Sequence, residues 1–211
     1  MRRPAAVNAM PRLADLIDQF RRAEVVVAGD FVADEYVYGE TERISREAPV
    51  LIVRYERSEL KAGGAGNAAQ NLAALGVKVR AVGVVGDDAL GSTLLDVLAA
   101  CGIDIEHIQR VRGRATESKT RILAGGRSTR RQQMLRVDRA PAQALPPAAQ
   151  DRVVRDLLRA ARGSGPCSLA TTAPALSARE RSRPCAISSA AGSRCASIRG
   201  TGSSSTQASR W

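Results

Sequence analysis

Small residues and a single amide crowd the stretch from Gly63 to Gly76, and their spacing could build a ligand site. The run opens with Gly63 and Gly64 and soon reaches Asn67. Glycine lets a backbone approach a ligand closely, and the free N–H groups at a helix start attract anions and hydroxyl oxygens. Asn67 offers both a donor and an acceptor at the same place. The stretch predicts either a ligand site at a helix start or a tight turn that only packs a helix against a strand.

Two carboxylates follow a short apolar run and could recognise hydroxyl groups. Asp30 comes shortly after residues 25–28, and Asp34 follows in the same stretch. The apolar run is short and continuous, which is typical of a strand buried on both faces. A carboxylate where such a strand ends could accept hydrogen bonds from two hydroxyl groups of one ligand. Aspartate also caps turns readily, so turn capping is the competing interpretation of both residues.

Basic side chains on two further predicted strands could hold a phosphate group. Alternation places Lys119 and Arg121 on one face of their strand, and Arg136 lies in the next basic segment. The planar fork of an arginine matches the oxygens of a phosphate. The competing interpretation is a strand face that meets only solvent.

The elements around these residues alternate between strands and helices, as expected of an α/β protein. Apolar periodicity predicts helices over residues 11–22, 88–101 and 147–161 and after Asn67, and strands over residues 25–28, 37–38, 51–55, 79–85, 105–111, 118–123 and 132–137. Gly102 is the expected C-terminal cap of the helix over residues 88–101. Strand–helix alternation implies a mostly parallel sheet with right-handed crossovers.

Composition and charge limit the classes of protein that fit. The 211 residues suffice for a sizeable core, which must rest on aliphatic side chains because aromatic residues make up only 3%. No apolar run approaches the roughly 18 residues of a membrane span, and no signal-peptide segment follows the basic start. We therefore expect a cytoplasmic protein that binds no membrane. The net charge of +11 forms no basic stripe interleaved with aromatic residues, so we expect no nucleic-acid partner.

Residues 164–211 differ in composition from the rest of the chain. They contain 12 serines and six arginines against one glutamate, and they lack Asp, Lys, Val, Phe and Tyr. Neither strand nor helix periodicity continues there. Cys167, Cys185 and Cys195 lie in this segment at wide spacings without a nearby histidine. This pattern argues against a zinc site or a disulfide framework, and we assign no metal ligands.

The span from Gly63 to Gly86 resembles the first signature of the ribokinase-like (PfkB) carbohydrate kinases. That signature has a glycine pair, an asparagine, small residues and a glycine, here Gly76, and after nine further residues it ends in a last glycine, here Gly86. Residues 25–34 resemble the family's first strand with its sugar-binding aspartate. Residues 36–50 resemble one branch, the kinases that phosphorylate D-glycero-β-D-manno-heptose 7-phosphate at the anomeric hydroxyl towards ADP-heptose for lipopolysaccharide. The resemblance covers roughly residues 23–163.

The resemblance implies a ribokinase-like α/β fold, with a mostly parallel central sheet flanked by helices and a small β-sheet lid. We expect residues 1–22 to form a helical extension and residues 23–163 to form the N-terminal part of the kinase domain, with lid strands within residues 35–60. The C-terminal half of the domain is then missing or frameshifted. Exposed lid strands need a partner to cover their edges, so a homodimer through the lid is a further hypothesis.

The same resemblance implies a phosphorylated sugar as substrate. The implied substrate-binding residues are Asp34, Asp30, Gly63, Gly64, Asn67, Lys119, Arg121 and Arg136. An intact family member is expected to use ATP and Mg²⁺. The family's catalytic base lies in a Gly-Ala-Gly-Asp turn near the nucleotide site, and this chain has no such motif. We therefore assign no catalytic residue, expect a largely missing nucleotide site, and predict no kinase activity for this polypeptide by itself.

A shifted reading frame is one interpretation of residues 164–211. When the third base of each codon is read with the first two bases of the next codon, residues 169–175 can encode Gly-Asp-Tyr-Gly-Ala-Gly, and residues 194–203 can encode a strand ending in Val-Asp. Both resemble segments that this kinase family carries next. The competing interpretation is an ordinary disordered tail rich in Ser and Arg.

Other classes of protein stay open beside the heptose kinase. Another ribokinase-type sugar or nucleoside kinase would share the pattern from Gly63 to Gly86. A dinucleotide-binding protein would need G-x-G-x-x-G directly after the first strand, where only Gly29 is present. A non-catalytic basic binding protein, driven by the arginines of the tail, would bind DNA in a salt-dependent way.

Overall fold

The computed structural model of the chain describes residues 15, 18–126, 130–162 and 169–171. Within these ranges a 3₁₀ turn (Phe20–Arg22) leads into the strands β1 (Glu24–Ile44), β2 (Leu51–Gly64), β3 (Lys78–Gly86), β4 (Asp104–Val111), β5 (Ser118–Gly125), β6 (Gln132–Arg139) and β7 (Leu169–Thr171). The helices are α1 (Ala65–Ala74), α2 (Ala89–Ala100) and α3 (Pro147–Arg162). The helix expected over residues 11–22 and the interpretations of residues 164–211 lie largely outside the described residues.

One strand, β1, runs through two sheets. Its residues 24–30 pair in parallel with β3, and part of this stretch also pairs with β7. From Phe31 onward, β1 pairs antiparallel with β2 and in parallel with β5. We call β3, β4, β7 and residues 24–30 the core sheet. We call β2, β5, β6 and residues 31–44 the lid sheet.

The continuity of β1 corrects the prediction of two separate short strands over residues 25–28 and 37–38. Gly29, Asp30 and Asp34 are common turn residues, and their presence favoured a break. In the structure the ladder with β3 ends at Asp30, and the ladder with β2 begins at Phe31, so pairing continues without a gap. The partners of the strand change at this point, and the strand itself does not end. The predicted strand over residues 51–55 is likewise only the first part of β2.

The remaining predicted elements are confirmed to within a few residues of their bounds. Gly102 follows the last turn of α2 with a φ of 73°, in the left-handed region that glycine adopts without strain. The pairs β1–β3, β3–β4 and β1–β5 are parallel, whereas β1–β2 and β5–β6 are antiparallel. A mostly parallel α/β sheet is therefore confirmed.

Helices cover both faces of the core sheet. Val26, Val27 and Ala28 are 0% exposed. Val27 packs in a cluster with α1 and α2 that includes Leu94 and Leu98. Val26 and Ala28 pack in a second cluster with α3. The continuous apolar run of β1 follows from burial on both faces.

The lid sheet is covered much less. Every residue of β6 is exposed. Large apolar side chains of the lid reach solvent, with Tyr55 of β2 exposed by 62%, Leu135 by 56% and Val137 by 40%. The described part of the chain therefore leaves apolar lid surface without a covering layer.

Candidate functional site

Asp34 lies in the lid sheet between two basic strands. Its register partner on β2 is Lys61, and its partner on β5 is Lys119. Arg121, farther along β5, donates a hydrogen bond from Nη1 to Oδ1 of Asp34 over 2.7 Å. This hydrogen bond raises the pKa of Arg121, so the guanidinium stays charged. The side chains of Asp34 and Arg121 are 20% and 21% exposed, so a ligand can still reach them.

Gly63 makes room for the other oxygen of Asp34. A Cβ atom at position 63 would lie 2.5 Å from Oδ2 of Asp34, which is closer than unbonded atoms pack. Gly63 is buried and pairs with Val32 of β1. The carboxylate keeps its position only because residue 63 has no side chain. This contact gives a physical reason for the first glycine of the pair.

Helix α1 begins directly after the glycine pair. Gly64 has a φ of 58°, and a Cβ atom there would lie 2.5 Å from the carbonyl oxygen of Asp30. Within the described residues no side chain caps the start of α1. Its first N–H groups can therefore serve a ligand. Asn67 lies in this first turn and is exposed, so the predicted helix start places an amide beside the glycine pair.

An aromatic ring lies between two cations near Asp34. The Nζ atom of Lys61 and the Cζ atom of Arg121 each lie 5.2 Å from the ring centroid of Tyr36. These distances are within the range of cation–π attraction. Lys61 also forms a long ion pair of 3.9 Å with Glu59. The ring therefore keeps two positive charges close to one carboxylate.

Lys119 adds a third positive charge to this group. It forms no ion pair with any residue that the structure describes. Its register partner on β6, Asp138, is bound by Arg136 at 2.8 Å. We call Lys61, Lys119 and Arg121 the cationic cluster. Lys61 is paired with Glu59 and Arg121 with Asp34, so among the described residues Lys119 is the cation of this cluster that is left for an anionic ligand.

The structure does not place two of the predicted site residues beside Asp34. Arg136 is opposite Arg121 in the β5–β6 register, but its guanidinium is bound to Asp138 and half exposed. Asp30 precedes Asp34 by about 13 Å of extended strand, and it lines a separate cleft with Gly86. The structure therefore brings Arg121 into contact with Asp34 and pairs Lys119 with Asp34 in register, whereas Arg136 binds Asp138 and Asp30 lines another cleft.

Sequence reasoning overlooked Lys61. On β2, residues 59, 61 and 63 share one face, and Lys61 stands next to Gly63 on that face. The prediction that this strand ends at residue 55 hid the alternation. Extending the strand to the glycine pair would have placed Lys61 beside Asp34.

Two other kinds of feature do not occur among the described residues. They contain no group of three His, Cys, Asp or Glu side chains arranged for a metal ion. No helix among them has the length and apolar character required to span a bilayer.

A model of the family described as pfkB family carbohydrate kinase matches residues 22–162. The chain belongs to the pfkB carbohydrate kinase family. Solved structures share the fold of this chain. The ribokinase of Arabidopsis thaliana, complexed with ribose and ATP, superposes with a TM-score of 0.54 at 20% identity, over 83% of this chain and 53% of that one. The tetrameric inhibited form of phosphofructokinase-2 from Escherichia coli gives 0.55 at 16% identity, over 83% and 54%. These likenesses confirm the predicted ribokinase-like fold.

Within the pfkB family, the curated relatives carry the name bifunctional protein HldE. The protein of Methylobacillus flagellatus is 46% identical over 121 residues, which are 57% of this chain and 24% of that protein. The protein of Geobacter sulfurreducens is 43% identical over 129 residues, which are 61% and 25%. These matches confirm the predicted resemblance to the heptose kinase branch. The chain spans about a quarter of the length of these two relatives.

Proposed function

We propose that this chain carries the sugar-recognition part of an ATP-dependent kinase acting on a heptose 7-phosphate. Membership of the pfkB family and the identity with HldE proteins support this proposal. The single observation that carries it is the environment of Asp34. One carboxylate oxygen lies against Gly63 and the other against Arg121, so an acceptor for hydroxyl groups stands beside cations suited to a phosphate.

The hydroxyl end of the sugar would lie between Asp34 and the start of α1. The carboxylate of Asp34 accepts hydrogen bonds, and the first N–H groups of α1 donate them. Asn67 can do both from the same turn. Acceptors and donors that converge on one small volume suit neighbouring hydroxyl groups, each of which gives one hydrogen bond and receives another.

The phosphate end of the sugar would lie on the cationic cluster. Arg121 uses one N–H on Asp34 and keeps further donors for a phosphate. Lys119 has no carboxylate partner within the described ranges and supplies a second charge. Because Arg121 contacts Asp34 directly, the groups that bind the hydroxyl end and the phosphate end of the substrate would be held at a fixed distance from each other. A sugar with hydroxyl groups but no phosphate would bind more weakly.

ATP and Mg²⁺ are the expected partners of the reaction, in which the nucleotide supplies the phosphoryl group. The described residues provide no metal cluster, and we assign none of them to the nucleotide. We also propose that this polypeptide transfers no phosphate by itself, since it has no Gly-Ala-Gly-Asp turn. An assay of ADP release with ATP and heptose 7-phosphate should match a blank without sugar. Sugar-dependent ADP release would contradict this.

The lid sheet is the proposed contact for a second copy of the chain. Its exposed apolar residues, such as Leu135 and Val137, would be covered by such a contact. Sedimentation of the wild type should show a dimer, and Leu135→Lys should shift it towards monomer. Leu75→Lys, at an exposed apolar position after α1, is the control and should leave the dimer intact. A wild type that sediments as a monomer would refute the lid contact.

Calorimetric titration of the full chain tests the main proposal. The ligands are heptose 7-phosphate, the same heptose without phosphate, ribose, and a hexose 6-phosphate. Asp34→Asn should weaken the binding of heptose 7-phosphate at least about tenfold, because a hydrogen bond to a charged group is worth about 1.5–3 kcal/mol. Asp104→Asn changes an exposed aspartate of β4 and should have no effect. Equal affinity of Asp34→Asn and wild type would refute the site, and preference for ribose would favour another ribokinase-type kinase.

A further inference from the structure

A closed set of hydrogen bonds joins the end of β3, the start of α2 and the segment before β5. The hydroxyl of Thr116 accepts a hydrogen bond from the N–H of Gly86 over 3.0 Å and donates one to Oδ1 of Asp88 over 2.6 Å. The N–H of Thr116 donates to Oδ2 of Asp88 over 2.9 Å. Oδ1 of Asp88 also accepts from the N–H of Gly91 over 2.7 Å. We call Asp88 and Thr116 the clasp.

The clasp is packed without spare room. Thr116 is 3% exposed. A Cβ atom at position 86 would lie 2.5 Å from the nitrogen of Thr116, and one at position 91 would lie 2.7 Å from its hydroxyl oxygen. Glycines on two sides therefore let Thr116 reach Asp88. A buried hydroxyl in such a place costs stability unless its hydrogen bonds are made, and here they are made.

Capping of α2 accounts for only part of this arrangement. An N-terminal cap needs one side-chain oxygen on the first turn, and the bond from Gly91 to Asp88 supplies it. A cap does not require the two bonds between Asp88 and Thr116. They join α2 to the segment before β5, so they serve the placement of that segment.

The clasp lies where the chain passes from the core sheet to the lid sheet. Gly86 ends β3 in the core sheet, whereas β5 belongs to the lid sheet and begins at Ser118. Between clasp and strand, the carbonyl oxygen of Glu117 accepts a hydrogen bond from the N–H of Ala33 over 2.8 Å. The clasp therefore holds the segment that leads from the core sheet into β5, just before β5 pairs with β1.

We propose that Asp88 and Thr116 are positioning residues for the phosphate end of the sugar site. They fix the start of β5, and β5 brings Lys119 and Arg121 to Asp34. A displaced β5 would move both cations away from Asp34, which is held by β1 and β2. The clasp therefore determines how well the site distinguishes a phosphorylated sugar from the same sugar without phosphate. This inference rests on the proposed function.

Calorimetric titration of full-length variants with heptose 7-phosphate and with unphosphorylated heptose tests the clasp. Thr116→Val removes the hydroxyl at nearly constant volume. Asp88→Ser keeps a capping oxygen for α2 but is too short to reach Thr116. Both variants should bind heptose 7-phosphate about tenfold more weakly, a change of about 1.4 kcal/mol, and should bind heptose almost as the wild type does.

Two control variants separate this role from a general loss of stability. Thr116→Ser keeps the hydroxyl and should restore near wild-type affinity. Thr93→Val removes a hydroxyl from α2 that, within the described ranges, bonds inside its own helix to the carbonyl oxygen of Ala89 over 3.0 Å. It should leave both affinities unchanged. Equal weakening of both ligands in Thr116→Val, or unchanged affinity in either clasp variant, would overturn the positioning role.

Hydrogen exchange in the wild type gives a second readout that needs no variant. Heptose 7-phosphate should slow exchange of the Thr116 and Ala33 N–H groups more than heptose does, because its phosphate would bind Lys119 and Arg121 and so stabilise β5. Equal protection by both ligands would overturn the inference even if both clasp variants fail to fold. A wild type that binds neither ligand would overturn the proposed function itself, so the two failures are distinguishable.

Discussion

Residues 24–30 and 31–44 belong to one strand, but they meet opposite requirements. In the core sheet, Val26, Val27 and Ala28 are apolar and fully buried, although they lie on opposite faces of the sheet. In the lid sheet, Asp34 and Tyr36 lie on one face, with cations around them. Packing from both sides selects side chains in the first half. In the second half, we propose that contact with a ligand selects them.

This difference predicts how the two regions respond to substitution. Changes in the core should lower the free energy of unfolding and leave the ligand affinity of the folded protein unchanged. Changes on the cationic face of the lid should lower affinity with little effect on stability. The predictions below run from the largest expected effect to the smallest.

Leu98→Ala should have the largest effect, because Leu98 is 0% exposed between α2 and the core sheet. Truncation of a buried leucine costs about 2–5 kcal/mol through lost burial and a cavity. Urea unfolding should show this loss, while calorimetry at low temperature should give wild-type affinity for heptose 7-phosphate. Leu75→Ala, at a position exposed by 52%, should change stability by less than about 0.5 kcal/mol. A loss of affinity in folded Leu98→Ala would contradict the prediction that core substitutions affect stability and leave ligand affinity unchanged.

Gly63→Ala should lower affinity about tenfold, or about 1.4 kcal/mol, because the new methyl group must displace the carboxylate of Asp34. The displaced group is the end of a flexible side chain, so stability should change little. A double-mutant cycle with Asp34→Asn checks this explanation, since Gly63→Ala should cost much less affinity when the carboxylate is already replaced. Additive effects would show that Gly63 acts elsewhere.

The sequence was sufficient for the core but only partly sufficient for the site. The continuous apolar run of residues 25–28 and the periodic helices predicted buried strands and their covering layers, because burial restricts side-chain choice strongly. The lid strands have mixed side chains and common turn residues, so β1 and β2 were predicted too short. The lost alternation on β2 concealed Lys61.

Long-range contacts account for the rest of what the sequence could not show. Lys119 and Arg121 could be placed on one face from alternation alone, but the register pairing of Lys119 with Asp34 and the hydrogen bond from Arg121 to Asp34 depend on the parallel register of β5 with β1. The clasp joins residues 28 positions apart. No local sequence pattern around Asp88 or Thr116 predicts that the two side chains are hydrogen-bonded. Local patterns predict elements, whereas pairing between distant strands produces the site.

Ser118→Ala should stabilise the protein by about 1 kcal/mol, although it removes a polar group from the lid sheet. Ser118 is 1% exposed, and its Oγ atom has no hydrogen-bond partner among the described residues. It lies opposite Ala33, on the face of β5 turned away from Arg121. Urea unfolding should detect the gain, while Ser58→Ala, at an exposed lid position, should stay within about 0.5 kcal/mol of wild type. Destabilisation by Ser118→Ala would show that the hydroxyl serves a partner such as a bound ligand.

The smallest effect is expected from the charge of Asp88, which links the two regions. Burial raises the pKa of Asp88, but the hydrogen bonds from Thr116 and Gly91 lower it further, so the pKa is below its ordinary value. A lowered pKa in the folded state stabilises the protein above the pKa of the unfolded state, and this contribution disappears as the pH falls through the folded-state pKa. The free energy of unfolding should therefore begin to decrease as the pH falls below about 5. The decrease should continue through the ordinary aspartate pKa of about 3.9 and on to the lower pKa of Asp88 in the folded state.

Urea unfolding of Asp88→Asn across this pH range measures that contribution. The variant should lose less stability on acidification than the wild type, because its side chain cannot take up the proton. Asp87→Asn is the matched control, since the neighbouring carboxylate is exposed and, among the described residues, its one ion pair is with Arg112 at 3.7 Å. It should reproduce the wild-type acid dependence. An identical acid dependence in Asp88→Asn and wild type would mean that Thr116 holds Asp88 equally well in its protonated form, and that the clasp works without the charge.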